Sequence, residues 1–345
     1  MKKLLFLGLI LAFLPLQVSA VEITPPTAPA SAEKYMPENT ESFGEGLWYI
    51  IKEALLVLQP EVMESVKTCI KLICTSLIIS FMTGLGAAKR ITDLTGVVTI
   101  GLVLMEPANK LIQIGLDTIA ELSEYSKLLL PVMTTAMAAE GAVTSSAAIY
   151  AATTWFVAIL TTAVSKLIIP LIYVFMAICI ADQAVGEGIL KDLKSFLNWL
   201  ITWILKITLY AFTGFVSITG VISGSADASA IKAAKIAISG AVPIVGGIIS
   251  DASETILVSV SFMKQAAGIY GLLAIVAICI VPFFKTSIQY LLLKATSSTC
   301  GMLGTEKTTS LISDFSKILG YILAMTGIVC LLLLIGTVSF MKGIR

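Results

Sequence analysis

Long uncharged stretches alternate with short charged segments along most of this chain. A helix needs about 20 consecutive apolar residues to cross the roughly 30 Å hydrocarbon core of a bilayer. Five intervals come close to this length or exceed it: residues 72–88, 141–165, 197–222, 265–284 and 318–341. We predict a membrane-spanning helix in each of them, although the third interval contains one charged residue, Lys206.

Four further apolar intervals are too short for a comfortable span: residues 94–105, 128–139, 167–181 and 236–250. Such segments occur either as tilted spans with snorkelling ends or as broken and re-entrant helices packed inside protein. Together with the longer intervals they predict an all-α, polytopic membrane protein with about six to eight spans, some of them broken or re-entrant.

Two segments show the periodicity of amphipathic helices. The first pairs an apolar face of Leu111, Ile112, Gly115, Leu116, Ile119 and Leu122 with a polar face of Lys110, Asp117, Glu121 and Glu124. The second pairs Ile189, Leu190, Leu193, Phe196 and Leu197 with Lys191, Lys194, Ser195 and Asn198. We expect both to be interfacial helices along the membrane surface, either as plain links between spans or as docking faces and gates.

Composition narrows the function classes. Of 345 residues, 57% are apolar and 13% charged, with a mean hydropathy of +0.97, which is typical of a membrane protein. Histidine is absent, which rules out Ser-His and Cys-His dyads and histidine-ligated zinc or haem sites. The net charge of +1 gives no indication of nucleic-acid binding. We therefore expect no enzyme, no cofactor, and no catalytic or metal-binding residue.

The N-terminal residues have the pattern of a secretory signal peptide. Lys2 and Lys3 precede the apolar residues 4–14, and Val18, Ser19 and Ala20 provide a small-residue cleavage site. We predict a signal peptide at residues 1–20, with an uncleaved anchor as the alternative. Residues 21–46, which are acidic and rich in proline, are predicted to be a flexible extracytoplasmic leader without a core, followed by a polytopic domain at residues 47–345.

Basic residues give only part of the topology. Lys89 and Arg90, after the first long interval, are expected in the cytoplasm. If residues 236–250 form a full span, the C-terminus lies outside. If they are re-entrant, Lys342 and Arg345 at the C-terminus are cytoplasmic, and we favour this second version.

Lys206 is the clearest charge inside a predicted span, because it follows Trp199 and Trp203 ten residues into its interval. A charge at the membrane centre costs about 2.5 to 3.5 kcal/mol on insertion scales. Two arrangements avoid this cost. The ammonium group either snorkels along the tryptophans to the interface, or pairs with a carboxylate such as Glu140 or Asp182.

Glycine is concentrated in two places, one near the end of the interval 197–222 and one beyond it. Gly220 and Gly224 form a GxxxG motif, which predicts close helix packing. Beyond it, glycine and proline interrupt an apolar run, and this frees backbone polar groups at membrane depth, where protein or a water-filled cavity must satisfy them. We predict a pore-lining or hinge element there, with a simple kinked span as the alternative. Its residues are Gly240, Pro243, Gly246, Gly247 and Asp251.

The region around this element resembles the stage III sporulation protein AE family of endospore-forming bacteria. The resemblance rests on Ala234, Lys235, Pro243, Val245, Gly246, Asp251, Ala252, Thr255, Lys264, Pro282 and Lys285, in that order. The signal peptide, the acidic leader and two lysine-proline helix starts, at Lys127 to Pro131 and Lys166 to Pro170, agree with it.

The resemblance implies a subunit of the channel complex that connects the mother cell with the forespore. It implies a multi-pass protein of the mother-cell membrane, with its leader in the intermembrane space and the other stage III sporulation A membrane proteins as partners. In the bilayer such a subunit has a structural role and can also form part of the conducting path. Assembly with further copies of the same chain, as a homo-oligomer, stays open. A self-sufficient secondary transporter for small solutes is the competing hypothesis, since broken helices fit both.

Overall fold

The computed structural model describes residues 26–37, 42–86, 88–139, 143–185, 188–218, 266–303 and 306–343. Within these ranges the chain forms helices and no strand. In chain order they are α1 (Ala30–Glu33), α2 (Phe43–Gly84), α3 (Lys89–Ala139), α4 (Val143–Ala163), α5 (Ile169–Val185), α6 (Lys191–Ile218), α7 (Ala266–Gly301) and α8 (Glu306–Gly343). A π-helical turn, Val164–Ile168, joins α4 to α5. The predicted all-α fold is confirmed.

Six helical segments in the described part of the chain are long and apolar enough to cross a membrane. They are α2, α3, the continuous rod formed by α4, the π turn and α5, and then α6, α7 and α8. This number agrees with the predicted six to eight spans and with a polytopic membrane protein.

Three of the short apolar intervals belong to longer, unbroken helices. Residues 94–105 and 128–139 are parts of the single helix α3, and residues 167–181 continue the rod that begins in α4. Of the two alternatives given for these three intervals, the broken or re-entrant helix is therefore wrong, because each interval is part of a continuous helix. Intervening charges interrupt the apolar pattern on one face, but they leave the backbone hydrogen bonds of the helix intact. The fourth interval, residues 236–250, lies outside the described residues.

The most hydrophobic helix, α8, forms the centre of the bundle. It contacts α3, α4, α5, α6 and α7. In the most apolar stretch of α8, 94% of the residues are buried within the chain. In the corresponding stretches of the other five spans, between 22% and 50% are buried. A helix that is apolar on every side suits a buried position and contact with lipid equally, and the burial of α8 decides between the two. The uncharged interval 318–341 therefore faces protein rather than lipid.

The first predicted interfacial helix is instead the middle of α3. Leu111, Ile112 and Leu122 are buried. Gly115 lies so close to Ile322 of α8 that a Cβ atom there would be 2.8 Å from its Cγ2 atom. Periodicity identified the correct apolar face, but α8 covers this face, and lipid does not.

Part of the predicted flexible leader packs against the bundle. Ala32 and Tyr35 are buried and belong to the main hydrophobic cluster. The backbone N–H of Ala28 donates a hydrogen bond to the hydroxyl of Tyr270 at 3.2 Å, and the Tyr125 hydroxyl donates to the carbonyl of Pro26 at 3.5 Å. Residues 26–37 therefore contribute to the core, contrary to the expectation of a leader without one.

Candidate functional site

The depth of α3 can be compared directly with that of its neighbour, the α4–α5 rod. Gly101 of α3 lies against Ile180 of α5. At the other end, α3 stops at Ala139 and α4 begins at Val143. The two elements contact each other and run antiparallel over nearly equal lengths, so the middle of α3 and the middle of the rod lie at the same depth.

The outer face of this rod is apolar, as contact with lipid requires. Trp155, Ile159, Leu167 and Val174 are exposed large apolar side chains along it. From residue 146 to residue 181 the rod contains a single charged residue, Lys166. This surface suits contact with lipid, and at a rise of 1.5 Å per residue it is longer than the roughly 30 Å hydrocarbon layer of a bilayer.

At the same depth, α3 has polar side chains along its outer face. Their spacing of three or four residues places them on one side of the helix, opposite the buried Leu111 and Leu122. We call this set the α3 stripe: Glu106, Lys110, Gln113, Asp117, Glu121 and Glu124. With a rise of 1.5 Å per residue the stripe is about 27 Å long, close to the roughly 30 Å thickness of the hydrocarbon layer.

A polar groove between α2, α3 and α7 borders the α3 stripe. It has a volume of about 40 Å³ and is lined by Glu61, Glu64, Lys110, Lys285 and Gln289, among others. Lys285 pairs with Glu61 at 2.5 Å, and Lys110 pairs with Glu64 at 3.5 Å. The polar surface therefore extends from α3 onto both neighbouring helices.

The bundle consequently has two different sides. Lipid can cover most of the rod of α4 and α5, whose one exposed charge between residues 146 and 181 is Lys166. The α3 stripe carries five charged side chains, and lipid covers it far less favourably, because each charge at the membrane centre costs about 2.5 to 3.5 kcal/mol. Glu106 and Asp117 have no ion-pair partner among the described residues. The side of the bundle that carries the stripe is suited to water or to another protein.

A second polar site is buried near the start of α6. The ammonium group of Lys194 lies 3.0 Å from Oδ2 of Asp182 and 2.8 Å from Oδ2 of Asp314. The three side chains are 14%, 7% and 2% exposed, respectively. Lys317 also pairs with Asp314, at 2.8 Å. These contacts join α5, α6 and α8 through a network with two acidic and two basic groups.

Hydrogen bonds extend this network. The amide of Gln183 donates to Asp182 Oδ2 at 3.2 Å and to Ser310 Oγ at 3.1 Å. The hydroxyl of Tyr321 donates to Asn198 Oδ1. Within the described residues, Oδ1 of Asp182 is buried without a hydrogen-bond partner. The network is thus nearly complete, and it leaves one carboxylate oxygen unsatisfied.

The second predicted interfacial helix keeps Lys191, Ser195 and Asn198 of its polar face exposed, but Lys194 of the same face turns inward. It forms the start of α6, where Phe196 and Trp199 are exposed, while Lys194 points into the bundle. The physical reason is that Asp182 and Asp314 occupy the bundle interior at this level, and a buried carboxylate needs a cationic partner. Periodicity alone could not show this.

Lys206 does not pair with Asp182, because Asp182 binds Lys194 instead. Lys206 is half-exposed and makes no ion pair with a described residue. The exposed rings of Trp199 and Trp203 stack beside it, with centroids 5.9 Å apart. The other proposed partner, Glu140, lies outside the described residues, as do Gly220, Gly224, Gly240, Pro243, Gly246, Gly247 and Asp251.

The stripe and the buried network were both missed by the sequence reasoning, which assigned Lys110, Asp117, Glu121, Glu124 and Lys194 to helices along the membrane surface and Asp182 to a pair with Lys206. One signal could have identified the stripe: its charges lie between two apolar intervals that are each too short to span a bilayer, so a single long helix was the simpler reading. Among the described residues, no group of three or more Cys, Asp and Glu side chains could hold a metal ion.

Comparison with known proteins decides the family. The family model of stage III sporulation protein AE matches residues 31–342. The chain belongs to this family. Stage III sporulation protein AE of Bacillus subtilis (strain 168) is 21% identical over 216 residues, which cover 63% of this chain. The match spans about half (54%) of the length of the Bacillus subtilis protein. No solved structure matches the present chain.

Proposed function

We propose that the chain is a membrane subunit of the complex that connects mother cell and forespore during sporulation. Membership of the stage III sporulation protein AE family supports a sporulation role. In this proposal the subunit is structural and conducting rather than enzymatic, it resides in the mother-cell membrane, and it assembles with the other stage III sporulation A membrane proteins.

The observation that carries the proposal is the α3 stripe at the depth of an apolar, lipid-facing rod. A monomer surrounded by lipid would leave Glu106 and Asp117 against hydrocarbon. In an assembly of several chains the same side faces inward, where protein groups and water satisfy the charges. A water-filled path bounded by this side is the arrangement that best suits a conducting subunit.

The distribution of basic residues supports an orientation. Lys89, Arg90 and Lys191 lie where α3 and α6 begin, and Lys307 at the start of α8 pairs with Asp93 at the same end. In our proposal this basic end is cytoplasmic, and the leader, which packs near the start of α7, is on the outer side.

The same orientation gives an outer C-terminal end. Gly268 at the start of α7 lies against Met341 near the end of α8, so α8 ends on the side where the leader packs. This differs from the cytoplasmic C-terminus that we favoured from Lys342 and Arg345. Contacts within the bundle give a stronger argument than two terminal charges, because they relate the helix ends to one another directly.

Cysteine accessibility tests the proposal. We would replace the six native cysteines, introduce Asp117→Cys in the α3 stripe, and treat sporulating cells with a membrane-impermeant maleimide. Ile159→Cys, on the exposed outer face of α4 at similar depth, is the matched control. We expect Asp117→Cys to react and Ile159→Cys to stay protected, since only a hydrated thiol ionises readily. Protection of both in the assembled protein would overturn the proposal.

The buried network favours a second candidate, a self-sufficient secondary transporter. Asp182 and Asp314 are carboxylates buried inside the bundle, and buried carboxylates of this kind bind coupling ions in transporters. A carrier needs no partner, so uptake of labelled solutes by liposomes that contain only this purified chain would favour it over the channel subunit.

A further inference from the structure

The hairpin of α2 and α3 fixes which of their residues share a depth. Gly96 of α3 lies against Ile79 of α2, and Lys110 of α3 pairs with Glu64 of α2. Each residue forward along α3 is thus matched by about one residue backward along α2. By this relation Lys67 of α2 lies within about 3 Å of the depth of Glu106 in α3.

Lys67 and Glu106 nevertheless form no ion pair with each other. Lys67 is exposed on the side of α2 opposite the buried Leu58 and Leu72. Glu106 is exposed at the start of the α3 stripe. Neither forms an ion pair with a described residue. Two opposite charges at one membrane depth are therefore left without partners on adjacent outer faces.

Each of these charges has an exposed apolar neighbour. Ile70, one turn from Lys67, is 53% exposed, and Leu102, one turn from Glu106, is 66% exposed. Ile70 and Leu102 also lie at similar depths by the same antiparallel relation. The outer faces of α2 and α3 thus present the same pair of features, one charge and one large aliphatic side chain, with opposite charges.

We propose that α2 of one copy packs on α3 of a second copy of this chain, with Lys67 pairing with Glu106 and Ile70 contacting Leu102. Copies related by rotation about the membrane normal keep every residue at its own depth. Charges that pair between such copies must therefore match in depth within one chain, as Lys67 and Glu106 do. Because the outer surfaces of α2 and α3 are different, the contact is heterologous, and its repetition about the membrane normal forms a ring where the rotation between copies divides the full circle evenly.

This inference rests on the proposed function, in which the α3 side faces the inside of an assembly. The neighbouring α2 covers the end of the α3 stripe near Glu106. Asp117 remains facing the enclosed path, whereas Glu121 accepts a hydrogen bond from the Ser31 hydroxyl of the leader. The remaining lysine on this part of α2, Lys71, lies one turn beyond Lys67 and adds a second positive charge beside Glu106.

Cross-linking between differently tagged copies tests the contact. We would co-express one copy carrying Ile70→Cys with a second copy carrying Leu102→Cys, both without native cysteines, and treat membranes with a short bismaleimide. Only an intermolecular contact can yield a product carrying both tags. The matched control combines Ile70→Cys with Ile159→Cys, which is exposed on the opposite, lipid-facing rod. We expect a strong two-tag product for the first pair and none for the control.

A charge exchange tests the ion pair independently. Glu106→Lys or Lys67→Glu alone should reduce the multimer seen by native electrophoresis in mild detergent, whereas the double variant that carries both changes should restore it. Absence of a two-tag product, or failure of the double variant to restore the multimer, would overturn the contact. If Asp117→Cys still reacts with the maleimide in that case, the proposed function stands without the ring. If Asp117→Cys is also protected, both proposals fall.

Discussion

The ammonium group of Lys194 lies 2.8 Å from the carboxylate of Asp314, which joins the start of α6 to the central helix α8. Asp314 is 2% exposed, so water cannot replace a lost partner. We expect Lys194→Met to destabilise the bundle by about 3 to 5 kcal/mol, because the buried Asp182 then loses its cationic partner and Asp314 keeps only Lys317. Thermal unfolding of the purified protein in detergent measures this loss.

A matched control for Lys194 is the exposed pair of Lys127 and Glu124, which are 61% and 72% exposed. Lys127→Met should change stability by less than about 1 kcal/mol, since exposed ion pairs contribute little. Equal effects of Lys127→Met and Lys194→Met would show that the buried network does not hold α6 in place.

A second prediction concerns the close approach of α3 to α8. A Cβ atom at Gly115 would lie 2.8 Å from Ile322 Cγ2 and 3.3 Å from Met325 Cε. We expect Gly115→Val to destabilise the protein by about 1 to 3 kcal/mol through overpacking. Gly214→Val in α6, where nothing lies within 4 Å of the added Cβ, is the control and should have a smaller effect. Thermal unfolding of both variants in detergent measures the difference, and a larger loss for Gly214→Val would contradict the packing described for α3.

A third prediction separates membrane insertion from function. Asp117→Leu removes a charge at membrane depth and should make insertion easier by about 3 kcal/mol. If Asp117 faces an aqueous path, the variant should accumulate normally in the membrane while spore yield falls. Immunoblots of membrane fractions and counts of heat-resistant spores measure the two effects. Normal spore yield would indicate that Asp117 has no role in the path.

A fourth prediction concerns the glycine-rich element outside the described residues. If it lines a cavity, single cysteines at Val242, Val245 and Ile248 should react with a membrane-impermeant thiol reagent. Gly246→Val should reduce function more than expression, because a β-branched residue tolerates neither positive φ nor close approach of the backbone. Three protected cysteines together with a functional Gly246→Val protein would leave this element as an ordinary membrane anchor.

Sequence predicted which residues of this protein are apolar on which face, but it could not predict what covers each face. The interval 318–341 was correctly predicted to be helical, yet its burial by five other helices has no signature, because lipid and protein interiors favour the same side chains. Lys194 shows the same limit, since its partners Asp182 and Asp314 are distant in the chain.

The leader shows a different limit. Its proline and acidic content predicted a segment without a core, and no local pattern shows that Tyr35 and Ala32 pack on the bundle. The candidate site was predictable in composition but not in position. Lys110, Asp117 and Glu121 were all assigned to one polar face, and only the alignment of α3 with the α4–α5 rod shows that this face lies level with the mostly apolar rod.

The central position of α8 has a consequence for biosynthesis. Because α8 follows the other five spans in the chain, the ribosome delivers it after they have already entered the membrane. Until then, the surfaces that will surround α8 have no protein against them, and lipid or a chaperone must cover these surfaces. A nascent chain stalled before residue 306 therefore exposes the interior surfaces of α3 and α7, and these surfaces are what membrane quality-control proteases can recognise.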